Sequence, residues 1–235
     1  LDDALDTLFN HPNTGPFIGR QLIQRLVKSN PSPAYVGRVA AAFANNGSGV
    51  RGDLAAVLRA VLRDDEARDV AQAQASNAGK LREPIIRLAQ FMRVFTLPPT
   101  SKRYPFNPWW MEEVFGQRPM SSPSVFNFYS PNYLPPGEMS QNNAFGPEFQ
   151  ILHETTLVDS YNFMEYWVYY ADEVPGTYTR SYAAYEALAG NPTTLVDKLD
   201  LVLTSGTLSA TARSTIISAV TQVPANDPGE RFKMA

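Results

Sequence analysis

Apolar residues recur at three- and four-residue spacing through the first hundred positions, a period that predicts helices. Asp3 to Phe9 forms the first, with Asp2, Asp3 and Asp6 favouring its N-terminal end through the macrodipole. His11-Pro12-Asn13 stops it. The next helix has Pro16 in its opening turn and an apolar stripe of Phe17, Leu22, Ile23, Leu26 and Val27. Asn30-Pro31-Ser32-Pro33 separates it from a third helix, Ala34 to Ala44, expected to bury Val36, Val39, Ala40 and Phe43. After the turn cluster Asn45-Asn46-Gly47-Ser48-Gly49, Asp53 opens a helix through Leu62. Leu54, Val57, Leu58, Val61 and Leu62 are its expected inward set. Asp64-Asp65-Glu66 opens a further short turn, and Gln72 to Ala78 reads as a linker. Leu81 to Phe95 has Pro84 in its first turn and Ile85, Leu88, Phe91, Met92 and Phe95 along one side. Glu83 and Arg87 are spaced for a helical ion pair.

The period is lost at Leu97. Residues 98–147 hold 10 of the 19 prolines, and only Met111 to Phe115 looks helical within them. Ser121 to Gly137 alone carries four prolines and four aromatic residues. A long irregular segment inside a domain is usually functional or disordered. Disordered segments are poor in aromatic residues, so this one is expected to be ordered and packed by its own side chains. Local polyproline geometry is expected after Pro135. From Glu148 the period resumes and predicts a helix to about Tyr170, aromatic on nearly every side and therefore central to a core. Val174-Pro175-Gly176 ends it. Ser181 to Leu188, Leu195 to Leu203 and Ser209 to Val223 are three further helices. Thr194 and Asp197 are spaced like a capping box, and Gly206 suits a C-terminal cap. No strand, internal repeat or heptad array is visible. The expected fold is all-α, a multi-helix globular domain with a long ordered segment rich in proline and aromatic residues.

Composition adds limits. The 235 residues fit one large domain or two small ones, and the expected organisation is one domain with three regions. Residues 1–97 form a basic helical region, residues 98–147 the loop segment, and residues 148–235 an acidic, aromatic helical region. Net charge is −3, but residues 1–103 carry 14 basic and 9 acidic side chains, and residues 104–235 carry 6 and 14. Two mutually attracting regions, a basic surface for an anionic partner, or assembly of copies through complementary faces would use that asymmetry. The negative total and the lack of any basic run argue against nucleic acid. No apolar run reaches the roughly 18 residues of a membrane span. Without cysteine there are no disulfides, thiolate metal sites or cysteine nucleophiles. Leu1 at the start, and a last segment Arg231 to Ala235 that looks like the opening of another helix, give both ends the look of cuts.

Several segments together resemble the bacterial DUF 1800 family, a domain of unknown function. They are Leu8 to Thr14, Arg20 to Pro33, Asn46 to Leu54, Gly79 to Pro84, Ser121 to Gly137 and Pro147 to Leu152, in the order the family shows. The resemblance implies the C-terminal half of a larger domain, whose N-terminal half would be a partner. It also implies an exported bacterial protein, periplasmic, cell-surface or extracellular, whose gene often lies beside that of a sulfatase-like exported protein. The family has no established catalytic residues, so it contributes none here.

The candidate sites come from the residues. Trp109, Trp110, Phe126, Phe128, Tyr129 and Tyr133 offer flat faces for sugars or partner surfaces, and Ser121, Ser124, Asn127, Asn132 and Asn142 offer hydrogen bonds. The competing reading is architectural, with Val125, Phe126 and Phe128 plugging the core. Lys80, Arg82 and Arg87 around a helix start are an anion-binding candidate, opposed by Glu83 and by Pro84, or else members of an ion-pair network. His153 and Ser160 share a helix face but stand about 10 Å apart, too far for a base and its nucleophile. His11 and His153 have no ligand spacing, and Asn45, Asn46, Ser48 and Asp53 do not match a calcium loop, so no metal and no cofactor is expected. These readings favour a binding or structural element of a cell surface or extracellular assembly, with a polysaccharide as a candidate ligand. The alternative is an enzyme or enzyme accessory acting on a sulfated or phosphorylated saccharide.

Overall fold

The computed structural model describes residues 1–73, 78–95, 111–125, 127–170 and 180–235. It is helical, with no strand among the described residues. Contacts group the chain into two compact units, Leu1–Arg82 with Pro123–Ile151, and Glu83–Ser122 with Leu152–Ala235. The grouping cuts across the compositional divisions at 97 and 147, because the chain returns to its N-terminal helices after residue 122.

The first unit contains α1 (Asp2–Asn10), α2 (Thr14–Leu26), α3 (Pro33–Ala44), α4 (Leu54–Arg63), α5 (Asp65–Arg68), α6 (Val70–Ala73) and α9 (Glu138–Gln141). Its core is Ile23, Tyr35, Val39, Phe43, Val57 and Val61. The buried face of α2 differs from the expected stripe. Gly15, Gly19, Ile23 and Gln24 are buried there, while Phe17 and Leu26 are exposed. The reason is the closeness of α3: a Cβ on Gly19 would lie 2.9 Å from Val39 Cγ1, and one on Gly15 would lie 3.2 Å from Phe43 Cδ1. On α4 only Val57 and Val61 are buried; Leu54, Leu58 and Leu62, expected inward, are exposed. Side chains cap the helix starts. Ser32 accepts from Tyr35 N, Asp53 from Ala55 N and Ala56 N, and Asp64 from Glu66 N.

The second unit contains α7 (Pro84–Phe95), α8 (Met111–Phe115), α10 (Glu154–Tyr169), α11 (Ala183–Glu186), α12 (Pro192–Thr204), α13 (Ala210–Gln222) and α14 (Pro228–Met234). Leu88, Phe91, Phe95, Met111, Phe115, Trp167, Leu195, Leu199, Val220 and Phe232 are among its core residues. Phe95 meets Tyr182, Tyr185 and Phe232 edge-on, with centroids 5.1–5.8 Å apart, a favoured aromatic geometry.

The expected long helix from Glu148 is two elements. Pro147–Gln150 is a 3₁₀ turn in the first unit, and α10 begins at Glu154 in the second. Nor is α10 enclosed on all sides. Thr156, Ser160 and Trp167 are buried, whereas Leu157, Val158, Tyr161 and Tyr166 are exposed. The cap of α12 is Asn191, whose Oδ1 accepts from Thr194 N, so Asp197 plays no capping role and instead takes Arg213 Nε at 2.6 Å. The linker 72–78 lies largely outside the described residues, and the stop at 174–176 lies wholly outside them. No helix among the described residues is long and apolar enough to cross a membrane.

Candidate functional site

Hydrogen bonds hold the proline- and aromatic-rich segment to the start of the chain. The Asn30 side chain clamps the backbone of Phe145, donating to its carbonyl at 2.9 Å and accepting from its amide at 2.8 Å. Gln24 Nε2 donates to the carbonyls of Ser29 and Pro131. Gln150 Oε1 accepts from Ser130 N at 2.7 Å, and Tyr133 O accepts from Gly146 N at 3.0 Å. Asn127 has φ +73°, a left-handed conformation that asparagine tolerates better than most residues.

This order distributes the expected aromatic platform over different surroundings. Tyr129 is 3% exposed, and the Arg25 guanidinium lies 4.3 Å from its ring centroid, so that face is already occupied. Asn127, Phe128 and Tyr133 are half-buried. Val125, expected as a core plug, is 95% exposed. Trp109, Trp110 and Phe126 lie outside the described residues.

The basic trio is likewise divided. Lys80 and Arg82 belong to the first unit and Arg87 to the second. Lys80 Nζ lies 2.8 Å from Glu148 Oε1 and donates to Arg25 O at 3.1 Å. Glu148 is 1% exposed, so Lys80 acts chiefly as counter-ion to a buried carboxylate. Arg82 is exposed.

Beside that ion pair the first unit has a cleft of about 740 Å³, within the usual range of ligand sites. One side is Ser29, Asn30 and Gly79 to Leu81; the other is α9 and the stretch from Asn142 to Gly146, with Phe149. The walls carry both polar and apolar chemistry. The side chains of Glu138 and Asn143 make no hydrogen bond or ion pair among the described residues. Asn142 Nδ2 donates to Glu138 O, fixing the α9 end. Met139, Phe145 and Phe149 supply apolar surface, with Phe149 38% exposed. Gly146 shapes the wall: a Cβ there would lie 2.7 Å from Phe149 Cδ2, 2.8 Å from Pro135 Cγ and 3.0 Å from the Met139 methyl.

A family model described as "Protein of unknown function (DUF1800)" matches residues 1–233. The chain belongs to the DUF1800 family. No curated protein and no solved structure matches it.

Of the cleft residues in this DUF1800 chain, the sequence reading singles out Lys80 and Asn142 but misses Glu138, Met139, Asn143, Phe145 and Phe149. The available signal is the pair of glycines bracketing all of these but Phe149. Gly137 has φ +97°, and Gly146 is the point of close approach.

The remaining sequence candidates take up ordinary packing in this DUF1800 chain. His153 is exposed at the N-cap of α10. Ser160 is buried and donates to Val114 O at 3.2 Å. The Asn45 and Asn46 side-chain oxygens accept from the amides of Gly47, Ser48, Gly49 and Val50, and Asp53 caps α4 while accepting from Asn46. No cluster of three or more histidine or carboxylate ligands exists among the described residues.

Proposed function

We propose that this protein is a binding element of a cell surface or extracellular assembly and that it holds a saccharide-type ligand in the cleft of its first unit. The observation that carries the reading is the cleft itself, where uncommitted Glu138 and Asn143 side chains stand beside Met139, Phe145 and Phe149. A carboxylate and an amide suit the hydroxyls of a sugar, and aromatic rings suit its apolar C–H faces. Export is part of this proposal and is motivated by the family resemblance.

Lys80 lines the same cleft, which keeps a sulfated or phosphorylated saccharide as the second form of the ligand. Its ammonium already faces Glu148 and the Arg25 carbonyl, so the neutral form is favoured. Calorimetric titration with neutral oligosaccharides and their sulfated counterparts tests both. Saturable binding is expected, weakened roughly tenfold by Asn143→Ala or Glu138→Gln, about the loss of one hydrogen bond to a well-placed group. Absence of binding to the folded protein, or wild-type affinity in both variants, would overturn the proposal.

A further inference from the structure

The second unit has a smaller pocket that the saccharide reading does not use. It has a volume of about 380 Å³, and its floor is a face of α10, with exposed Leu157 and Tyr161 and half-buried Met164 and Val168. Arg87 stands at one side and Lys233 at the other. Arg87 Nη2 is buried and has no hydrogen-bond partner among the described residues. Glu83, the expected helical partner of Arg87, directs Oε2 to Gln117 Nε2 at 2.6 Å. A buried donor without an acceptor is unfavourable, and for a charged group the cost is greater. Burial also lowers the pKa of Arg87, a second sign that its surroundings are poor in compensating charge.

Two of the other polar side chains are already engaged. Ser160 Oγ donates to Val114 O, leaving only acceptor capacity. Lys233 Nζ lies 3.9 Å from Glu230 Oε2 and 5.2 Å from the Tyr169 ring centroid. Glu165 is the carboxylate of the wall and is exposed. The pocket therefore combines an apolar floor with the Arg87 guanidinium, for which no ion pair is seen among the described residues, and with Lys233, whose nearest carboxylate is Glu230.

We propose that this pocket binds a small amphipathic monoanion, a carboxylate or sulfonate head on an apolar body, with the head between the Arg87 and Lys233 side chains and the body along Leu157, Tyr161, Met164 and Val168. The site lies wholly within the second unit and does not depend on the saccharide cleft.

The probe is 1-anilinonaphthalene-8-sulfonate, followed by fluorescence on the full 235-residue chain, with decanoate and decan-1-ol as competitors. Saturable one-to-one binding is expected, with decanoate displacing the probe at least about tenfold better than the alcohol of equal chain length. Arg87→Gln should weaken both anions about tenfold or more, and Arg87→Lys should restore part of the loss. Asn143→Ala should leave binding unchanged, which separates this proposal from the saccharide reading. If Arg87→Gln fails to fold, Leu157→Asp decides the matter. It places a carboxylate on an exposed position of the floor, and the same loss is expected. Equal displacement by decanol and decanoate, wild-type affinity in the folded variants, or no saturable binding would each overturn the proposal.

Discussion

Tyr35 shows how a single side chain ties the first unit's stability to pH. Its ring is fully buried among Ile23, Val39 and Val57, and its hydroxyl donates to Val61 O at 2.6 Å. Burial, with the charges of Asp64 and Glu66, pushes its pKa up to about 12. The folded value lies above that of the unfolded chain, near ~10. The stabilisation is therefore complete below about pH 10 and is lost as pH rises through about 12. Tyr35→Phe should lower stability by about 1 kcal/mol at neutral pH and flatten this alkaline loss, read from urea midpoints across the range. Asp64 has the opposite sign. The Arg38 guanidinium holds its carboxyl below the usual carboxylate value, with Nε to Oδ2 at 2.7 Å. For Glu66, burial raises the pKa, but the Ser32 hydroxyl and amide and the Lys28 ammonium outweigh it. Their stabilisation is present above the unfolded values and disappears as pH falls through the depressed folded ones. Arg38→Met should shift the acid unfolding midpoint upward. At the cleft, Lys80→Met strands Glu148 and should cost about 3 kcal/mol, with Lys80→Met/Glu148→Leu recovering some of it. Equal loss in the single and double variants would contradict the pairing.

At the scale of elements, helix–helix closeness explains both what the sequence reveals and what it hides. The helices of the first hundred residues are legible because turn residues and side-chain caps punctuate them, as at Ser32, Asp53 and Pro84. The buried face of α2 is not, since a stripe sought among large apolar residues overlooks glycines that let α3 approach. Gly19→Ala should destabilise by about 1–3 kcal/mol through its contact with Val39. Gly37→Ala, on the same helix pair but facing open space, should stabilise by up to about 1 kcal/mol. Thermal unfolding of the two variants checks the contrast. The break between the 3₁₀ turn and α10 is hidden because apolar periodicity continues across it. Local pattern does not register that Glu148 turns toward Lys80 while Trp167 packs into the other unit. The cleft is only partly legible for the same reason. Asn30 and Phe145 are 115 positions apart, and nothing local announces their clamp.

At the scale of the molecule, the returning segment is the main organisational fact. Residues 123–151 belong with the first 82 residues, so the first unit is discontinuous in sequence. Opposite charges from the basic and acidic regions of the chain pair within it, as Lys80 and Glu148 show. A fragment ending at Arg82 lacks α9, the 3₁₀ turn and one wall of the cleft. It should show weak amide protection from hydrogen exchange, and an added 123–151 peptide should restore it; full protection of the fragment alone would contradict the grouping. The saccharide reading is tested most directly by methyl NMR of the six methionines. Met139 lines the cleft, while Met164 lines the pocket of the second unit. Titration with a neutral oligosaccharide should shift the Met139 methyl saturably and leave Met164 in place. An unmoved Met139 at concentrations where other methyls shift, or no shift at all, would contradict the reading.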